Sequence, residues 1–127
     1  ACLRALSAMN PPQGSLSPEQ TRMVQAQLCR VMGHPVRLQI LQLLTEKGGS
    51  MPSADLLSAT GISKPALSQH LTKMTNVGLV RTRRVGRFLE VELPNLEIGR
   101  ACGAVGCLLS RGTAVHIPPV SSSDDAA

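Results

Sequence analysis

A chain of 127 residues has room for one compact domain with tails, and its apolar content is almost entirely aliphatic: Phe88 is the sole aromatic residue, with no Trp or Tyr. That composition counts against a base-stacking platform for single strands and against an aromatic-lined pocket for a large organic ligand. The net charge of +5 is concentrated, because Lys64, Lys73, Arg81, Arg83, Arg84 and Arg87 stand between Asp55 and Glu90 with no carboxylate among them; such a block is the footprint expected of a polyanion partner.

No run approaches the roughly 18 apolar residues of a membrane span. The N-terminus lacks a charged-then-apolar signal pattern, so the expected location is cytoplasmic, with no membrane partner. In that compartment four cysteines suggest thiol or metal chemistry rather than a disulfide framework.

Residues 1–16, with "NPPQGS", carry turn formers and no periodicity, and are expected to form a flexible N-terminal arm. Ser17 opens the first helix, with Pro18 at its first position and Gln20 at capping-box spacing. Val24, Leu28, Val31 and Met32 give this helix one apolar stripe. "GHP" breaks it, and His34-Pro35 opens a second helix containing Leu38, Ile40, Leu41, Leu43 and Leu44, which Gly48-Gly49 ends. A short helix around Ser53–Ala59 follows, then the turn Gly61-Ile62-Ser63. Ser63 is suited to cap the next helix, with Pro65 in its first turn. After Gly78, "LVRTRR" and "RFLEVEL" read as two strands joined through Val85-Gly86, with arginines at the tip. Pro94 and Asn95 begin a last helix running to about Ser110, and residues 112–127, ending "HIPPVSSSDDAA", read as a disordered tail. The expected domain is therefore 17–111: mainly α with a small β-hairpin, in the order α-α-α-α-β-β-α of a winged helix–turn–helix.

At 100° per residue, Leu67, Leu71, Met74 and Val77 fall on the inner side of the fourth helix. Pro65, Ser68, Gln69, Thr72 and Lys73 fall opposite, with Lys64 at the start. A helix held by a tight turn and placed second in the pair is the one that enters a DNA major groove. There Gln69 can pair bidentately with adenine, Lys64 or Lys73 can donate to guanine, and Ser68 can play either part. Arg83, Arg84 and Arg87 of the hairpin suit phosphates or an adjacent minor groove. His70 lies on the shoulder of the inner face and reads as a packed, hydrogen-bonded histidine rather than a base reader. His34 reads as a helix cap, and His116 lies in the tail.

The segments "VMGHPVRLQILQLL" (31–44) and "LLSATGISKPALSQHLTKMTNVGLVRTRRVGRFLEVEL" (56–93) carry an HPxRLxIL opening, an SxxxLSQHL helix and a GLVxxRRxGR entry to the hairpin. In these motifs the chain resembles the ArsR/SmtB family of dimeric winged-helix repressors, over about residues 18–110. The resemblance implies a homodimer formed by the first and last helices, a palindromic double-stranded DNA operator, and release of that DNA when an inducer binds. It also implies that Lys64, Pro65, Ser68 and Gln69 face the operator. The inducer is not carried over. "MPSADLL" lacks the paired cysteines of the arsenite type. The last helix offers only Glu97 in place of the zinc type's carboxylates and histidines, and Gln42 or its neighbours stand where the persulfide type has a cysteine.

Cys29 lies on the first helix, and Cys102 and Cys107 on the last. Positions five apart on a helix differ by about 140° and stand more than about 7 Å apart, too far for an undistorted disulfide. Gly99, Gly103 and Gly106 form a strip between them. Each glycine costs a helix about 1 kcal/mol against alanine, so close approach of the first helix or of a second copy of the last is expected there. Cys29, Cys102 and Cys107 are then the candidate sensing thiols, for arsenite or another soft metal ion, or for reactive sulfur or an oxidant. Their plain alternative is service as small hydrophobes, and Cys2 on the arm reads as incidental. A winged-helix module docking an acidic protein is the competing function. An enzyme is not expected: the chain has no Ser/His/Asp set, paired carboxylates or phosphate-cradling glycine loop.

Overall fold

Residues 16–112 are the part described by the structure, a computed structural model. In chain order the elements are α1 (Pro18–Met32), α2 (Pro35–Glu46), β1 (Ser50–Pro52), α3 (Ser53–Thr60), α4 (Lys64–Asn76), β2 (Arg81–Val85), β3 (Phe88–Glu92) and α5 (Leu96–Ser110). The expected arm and tail, with Cys2 and His116, lie outside the described residues apart from Leu16 and Gly112 at their edges.

Side-chain caps set the helix starts. Ser17 Oγ accepts from the Gln20 amide at 3.1 Å while Gln20 Oε1 accepts from the Ser17 amide at 2.9 Å, a reciprocal capping box. His34 Nδ1 accepts from the Val36 amide at 3.1 Å, and Ser63 Oγ from the Ala66 amide at 3.3 Å. Asn95 Oδ1 accepts from the Glu97 amide at 3.0 Å, so α5 starts at Leu96, slightly later than expected. Such caps contribute about 1 kcal/mol each. Between α3 and α4, Gly61 takes φ of 68° and its amide donates to the Leu57 carbonyl at 3.0 Å. Glycine has no Cβ to oppose that left-handed conformation, which ends α3 and turns the chain toward the start of α4.

The core is aliphatic, as the composition requires. Ile40, Leu41 and Leu44 of α2, Leu56 of α3, and Leu67, Leu71 and Met74 of α4 are buried with Met51, Leu79, Val80, Val91 and Leu93 from the sheet side. Each contributes about 1.5–3 kcal/mol on full burial. Leu38 is exposed, since it falls on the outer side of α2.

The sheet has the order β1-β3-β2, all antiparallel. Two features differ from the sequence expectation. Val85 pairs with Phe88, so the turn residues are Gly86 and Arg87 rather than Val85 and Gly86. A third strand, β1, was not anticipated; it places Met51 opposite Val91 and seals the far side of β3.

The outer helices are incomplete on their own. Nothing in α1 is buried, and α5 buries only Gly99. Met23 and Val105 present apolar side chains to solvent at 66% and 58% exposure. The glycine strip divides accordingly. A Cβ on Gly99 would collide with Thr45 Oγ1 and reach Leu93 Cδ2 at 3.1 Å, so α2 is the helix that needs this glycine, not α1 or a second copy of α5. Gly103 and Gly106 face open space.

Candidate nucleic-acid interface

Burial of Leu67, Leu71 and Met74 fixes the rotation of α4 and turns Lys64, Pro65, Ser68, Gln69, Thr72 and Lys73 outward, where all six are exposed. Thr72 Oγ1 donates to the Ser68 carbonyl at 2.9 Å, which orients its hydroxyl along the helix. Among the described residues the side chains of Ser68 and Gln69 are not engaged by protein partners. Their amide and hydroxyl groups are thus available to an incoming ligand. The first turn of α4 contains no acidic residue, so the partial positive charge of its N-terminus is unopposed.

The hairpin lies beside this helix. Side chains alternate across a strand, and Thr82 and Leu89 share a cleft of about 370 Å³ with Ser68, Leu71 and Thr72. Arg84, opposite Leu89, therefore belongs to the face turned toward α4. Arg87 at the turn and Lys64 at the start of α4 line one smaller cavity of about 240 Å³. None of the ion pairs among the described residues uses Lys64, Lys73, Arg84 or Arg87. Phe88 stands 62% exposed beside Arg87, an apolar side chain at the hairpin tip that sequence reading passed over.

Arg83 is set apart. It sits on the other face of β2 with Arg81, and both pair with Glu92, at 3.2 and 2.8 Å. The hydrogen bond from Arg81 holds the Glu92 carboxyl below the usual carboxylate range, though burial works in the opposite direction. Arg83 shares its charge with that carboxylate, whereas Arg84 and Arg87 keep theirs.

A buried arginine sets the pose of α4. Arg37, 7% exposed, donates from Nε to His70 Nδ1 at 3.2 Å and from a terminal guanidinium nitrogen to the Val31 carbonyl at 3.0 Å. One side chain on α2 thus ties the end of α1 to the middle of α4. His70 also stacks, tilted, on His34 at 4.5 Å between ring centroids. Sequence reading placed His70 correctly as a packed histidine but missed Arg37. The signal was a lone charge between Val36 and the apolar run of α2.

Burial, followed by the nearby His34, Arg37 and Lys73 charges, lowers the His70 pKa from its ordinary value. The unfolded chain takes up a proton near pH 6.5 while the native ring resists it, so stability is present above that pH and is lost as pH falls through it. Urea midpoints at pH about 7.5 and about 5.5 are expected to show this loss, and His70→Gln to diminish it. An identical pH profile in the variant would contradict the assignment.

The three described cysteines are free. Cys102 is half-buried, and its Sγ lies 3.3 Å from Met32 Sδ, so α5 meets the last turn of α1 through sulfur. Burial raises the Cys102 thiol pKa, and the neighbouring Cys29 raises it further. Cys29 and Cys107 are exposed. The fold thus brings Cys29 and Cys102 near one another, while Cys107 lies further along α5 on a different side of the helix. No group of three or more His, Cys, Asp or Glu side chains suited to a metal occurs among the described residues, and no described helix is long and apolar enough to cross a membrane.

Known proteins share this architecture. Residues 34–82, from the cap of α2 into β2, match the sequence profile described as "Bacterial regulatory protein, arsR family". The HTH-type transcriptional regulator YgaV of Escherichia coli (strain K12) is 41% identical over 70 residues, spanning 55% of this chain and 70% of that protein. The probable mercury resistance operon repressor of Streptomyces lividans is 29% identical over 89 residues, 70% of each chain. In fold, the chain is similar to the homodimeric winged helix-turn-helix DNA-binding domain (fragment 1–100) of Mb0332 from Mycobacterium bovis. The TM-score is 0.65 at 22% identity, covering 84% of this chain and 98% of that one. With the helix pair, the capped and carboxylate-free α4 and the basic hairpin in place, the chain belongs to the arsR family of bacterial regulatory proteins, as a DNA-binding transcriptional repressor of winged helix–turn–helix form.

Proposed function

We propose that the protein binds a palindromic operator as a homodimer and leaves it when a thiophilic inducer engages cysteines at the α1–α5 seam. The observation that carries the DNA reading is the convergence of Lys64 and Arg87 on one cavity, with Ser68 in the neighbouring cleft that Lys64 also lines and Gln69 exposed on the same helix. Lys64, Arg84 and Arg87 hold phosphates, and Ser68, Gln69 and Lys73 reach base edges. A two-fold dimer then sets two α4 helices about one DNA turn apart, which is why the operator is read as an inverted repeat.

The exposed apolar side chains of α1 and α5 and the open space beside Gly103 and Gly106 support a second copy as the occupant of that face. A homodimeric relative in fold is in keeping with it. Val105→Glu places a charge in this face and is expected to give a monomer by sedimentation; an unchanged dimer would contradict the assignment.

For the inducer, the candidates are Cys29, Cys102 and Cys107, with arsenite or another soft ion ahead of reactive sulfur. The relative named for mercury resistance is consistent with a thiophilic signal. The test is selection of duplexes from a random pool, followed by release with arsenite, cadmium or polysulfide from wild type and from Cys29→Ser, Cys102→Ser and Cys107→Ser. Inverted repeats released through at least one cysteine are expected. Release unchanged from wild type in all three variants would remove the sensing half of the reading, and absence of duplex enrichment would remove the rest.

A further inference from the structure

Two sulfur atoms touch where α1 ends, those of Met32 and Cys102, and the Cys29 thiol lies close enough to act electrostatically on Cys102. Cys29 and Met32 are three apart on α1 and so share one helix face. Met32 Sδ is 3.3 Å from Cys102 Sγ on α5. Met32 and Cys102 are half-buried against the rim of the core beside Leu28 and Val31, whereas Cys29 is open to solvent. Sulfur packing alone accounts for the contact between Met32 and Cys102 but gives no reason for the exposed thiol at Cys29.

We propose that Cys29, Met32 and Cys102 form a three-sulfur site for a soft univalent cation, Cu(I) or its surrogate Ag(I). Two thiols and a thioether are the soft donors that favour Cu(I). The cluster contains no imidazole or carboxylate to complete the four-ligand shell of zinc. Arsenic(III), which is best served by three thiolates, finds two here. Between Met32 and Cys102 the geometry requires little movement: if metal–sulfur bonds are about 2.3 Å, as for zinc thiolates, sulfurs around one trigonal ion stand about 4 Å apart. Met32 and Cys102 then need to separate by well under 1 Å. Binding exchanges two thiol protons for the cation, releasing both to solvent, and involves no change of oxidation state.

The site deepens the inducer reading and rests on that reading only for its effect on DNA. Met32 follows Val31, whose carbonyl is held by Arg37, and Arg37 also holds His70 on α4. A shift in the last turn of α1 is therefore passed to the helix that carries Lys64 and Gln69.

The full reduced chain, given Cu(I) in competition with the chromophoric chelator bicinchoninate, is expected to withhold one Cu(I) per chain. Cys29→Ser and Cys102→Ser should abolish retention, while Cys107→Ser should retain it. Met32→Leu, a volume-conserving change whose folding is checked by circular dichroism, should weaken retention by no less than the roughly tenfold typical of losing a supporting group. Failure of the wild type to withhold Cu(I), indifference to Met32→Leu, or loss in Cys107→Ser would each overturn the site. Retention with the expected variant pattern, but with the selected duplex still bound, would establish the site and contradict the inducer reading. Release by arsenite or polysulfide from a chain that withholds no Cu(I) would do the reverse.

Discussion

Changing Lys64, Arg84 and Arg87 together to glutamine is expected to lower duplex affinity at least about a thousandfold at about 0.15 M salt. The magnitude follows from counterion release: three cations in each of two protomers account for about six phosphate contacts, and affinity with that number changes by three or more decades over a modest salt range. None of the three takes part in a described ion pair, and all are exposed, so the substitution removes charge without opening the core. Circular dichroism and the urea midpoint should stay close to wild type. Arg83→Gln is the internal control. Its guanidinium already faces Glu92 on the opposite side of β2, and its loss should cost far less than that of Arg84. Equal losses for Arg83 and Arg84 would mean that the hairpin meets DNA by a different face.

The second large effect is on stability. Arg37→Ala is expected to remove about 3 kcal/mol from folding. It strands two acceptors, the Val31 carbonyl and His70 Nδ1, at about 1–3 kcal/mol each, and it leaves a vacancy between α2 and α4. Relief of the cost of burying a guanidinium offsets part of this, which is why the expectation is not larger. For a domain whose total stability is of order 5–15 kcal/mol, the shift is easily read from a urea titration. Arg37→Lys should recover little, because an ammonium lacks the fork that reaches Val31 and His70 at once. A variant within about 0.5 kcal/mol of wild type would show that the α1–α4 tie carries no energy.

Local chemistry was legible in the sequence, and non-local pairing was not. The caps at Ser17, His34 and Ser63 and the inner row Leu67, Leu71 and Met74 depend only on neighbours within a turn or two, and each stands where its spacing put it. The strand β1 is three residues long and ends in a proline, too short for an alternation to register, and it exists only because β3 is there to pair with it. The hairpin arginines were visible as a group. Which of them faces α4 depends on the packing of β3 against the core through Val91, and that separated Arg84 from Arg83. Among the cysteines, helical spacing showed that Cys102 and Cys107 diverge, but the partner that Cys102 finds is Met32, 70 residues away, and no spacing rule reaches that far. Gly99 was recognised as a close-approach glycine, but its neighbour proved to be Thr45 on α2, because α5 folds back across α2. Gly103 and Gly106 remain beside open space, where the symmetry mate is proposed.

Everything functional here depends on duplex DNA lying against the carboxylate-free surface of α4 and the hairpin turn. The dissociation constant for a selected duplex, measured across a series of salt concentrations, tests this most directly. With about six phosphate contacts in the dimer, log affinity should fall against log salt with a slope near −5, flattening strongly in the Lys64, Arg84 and Arg87 triple variant. An affinity independent of salt in the wild-type protein would contradict the account.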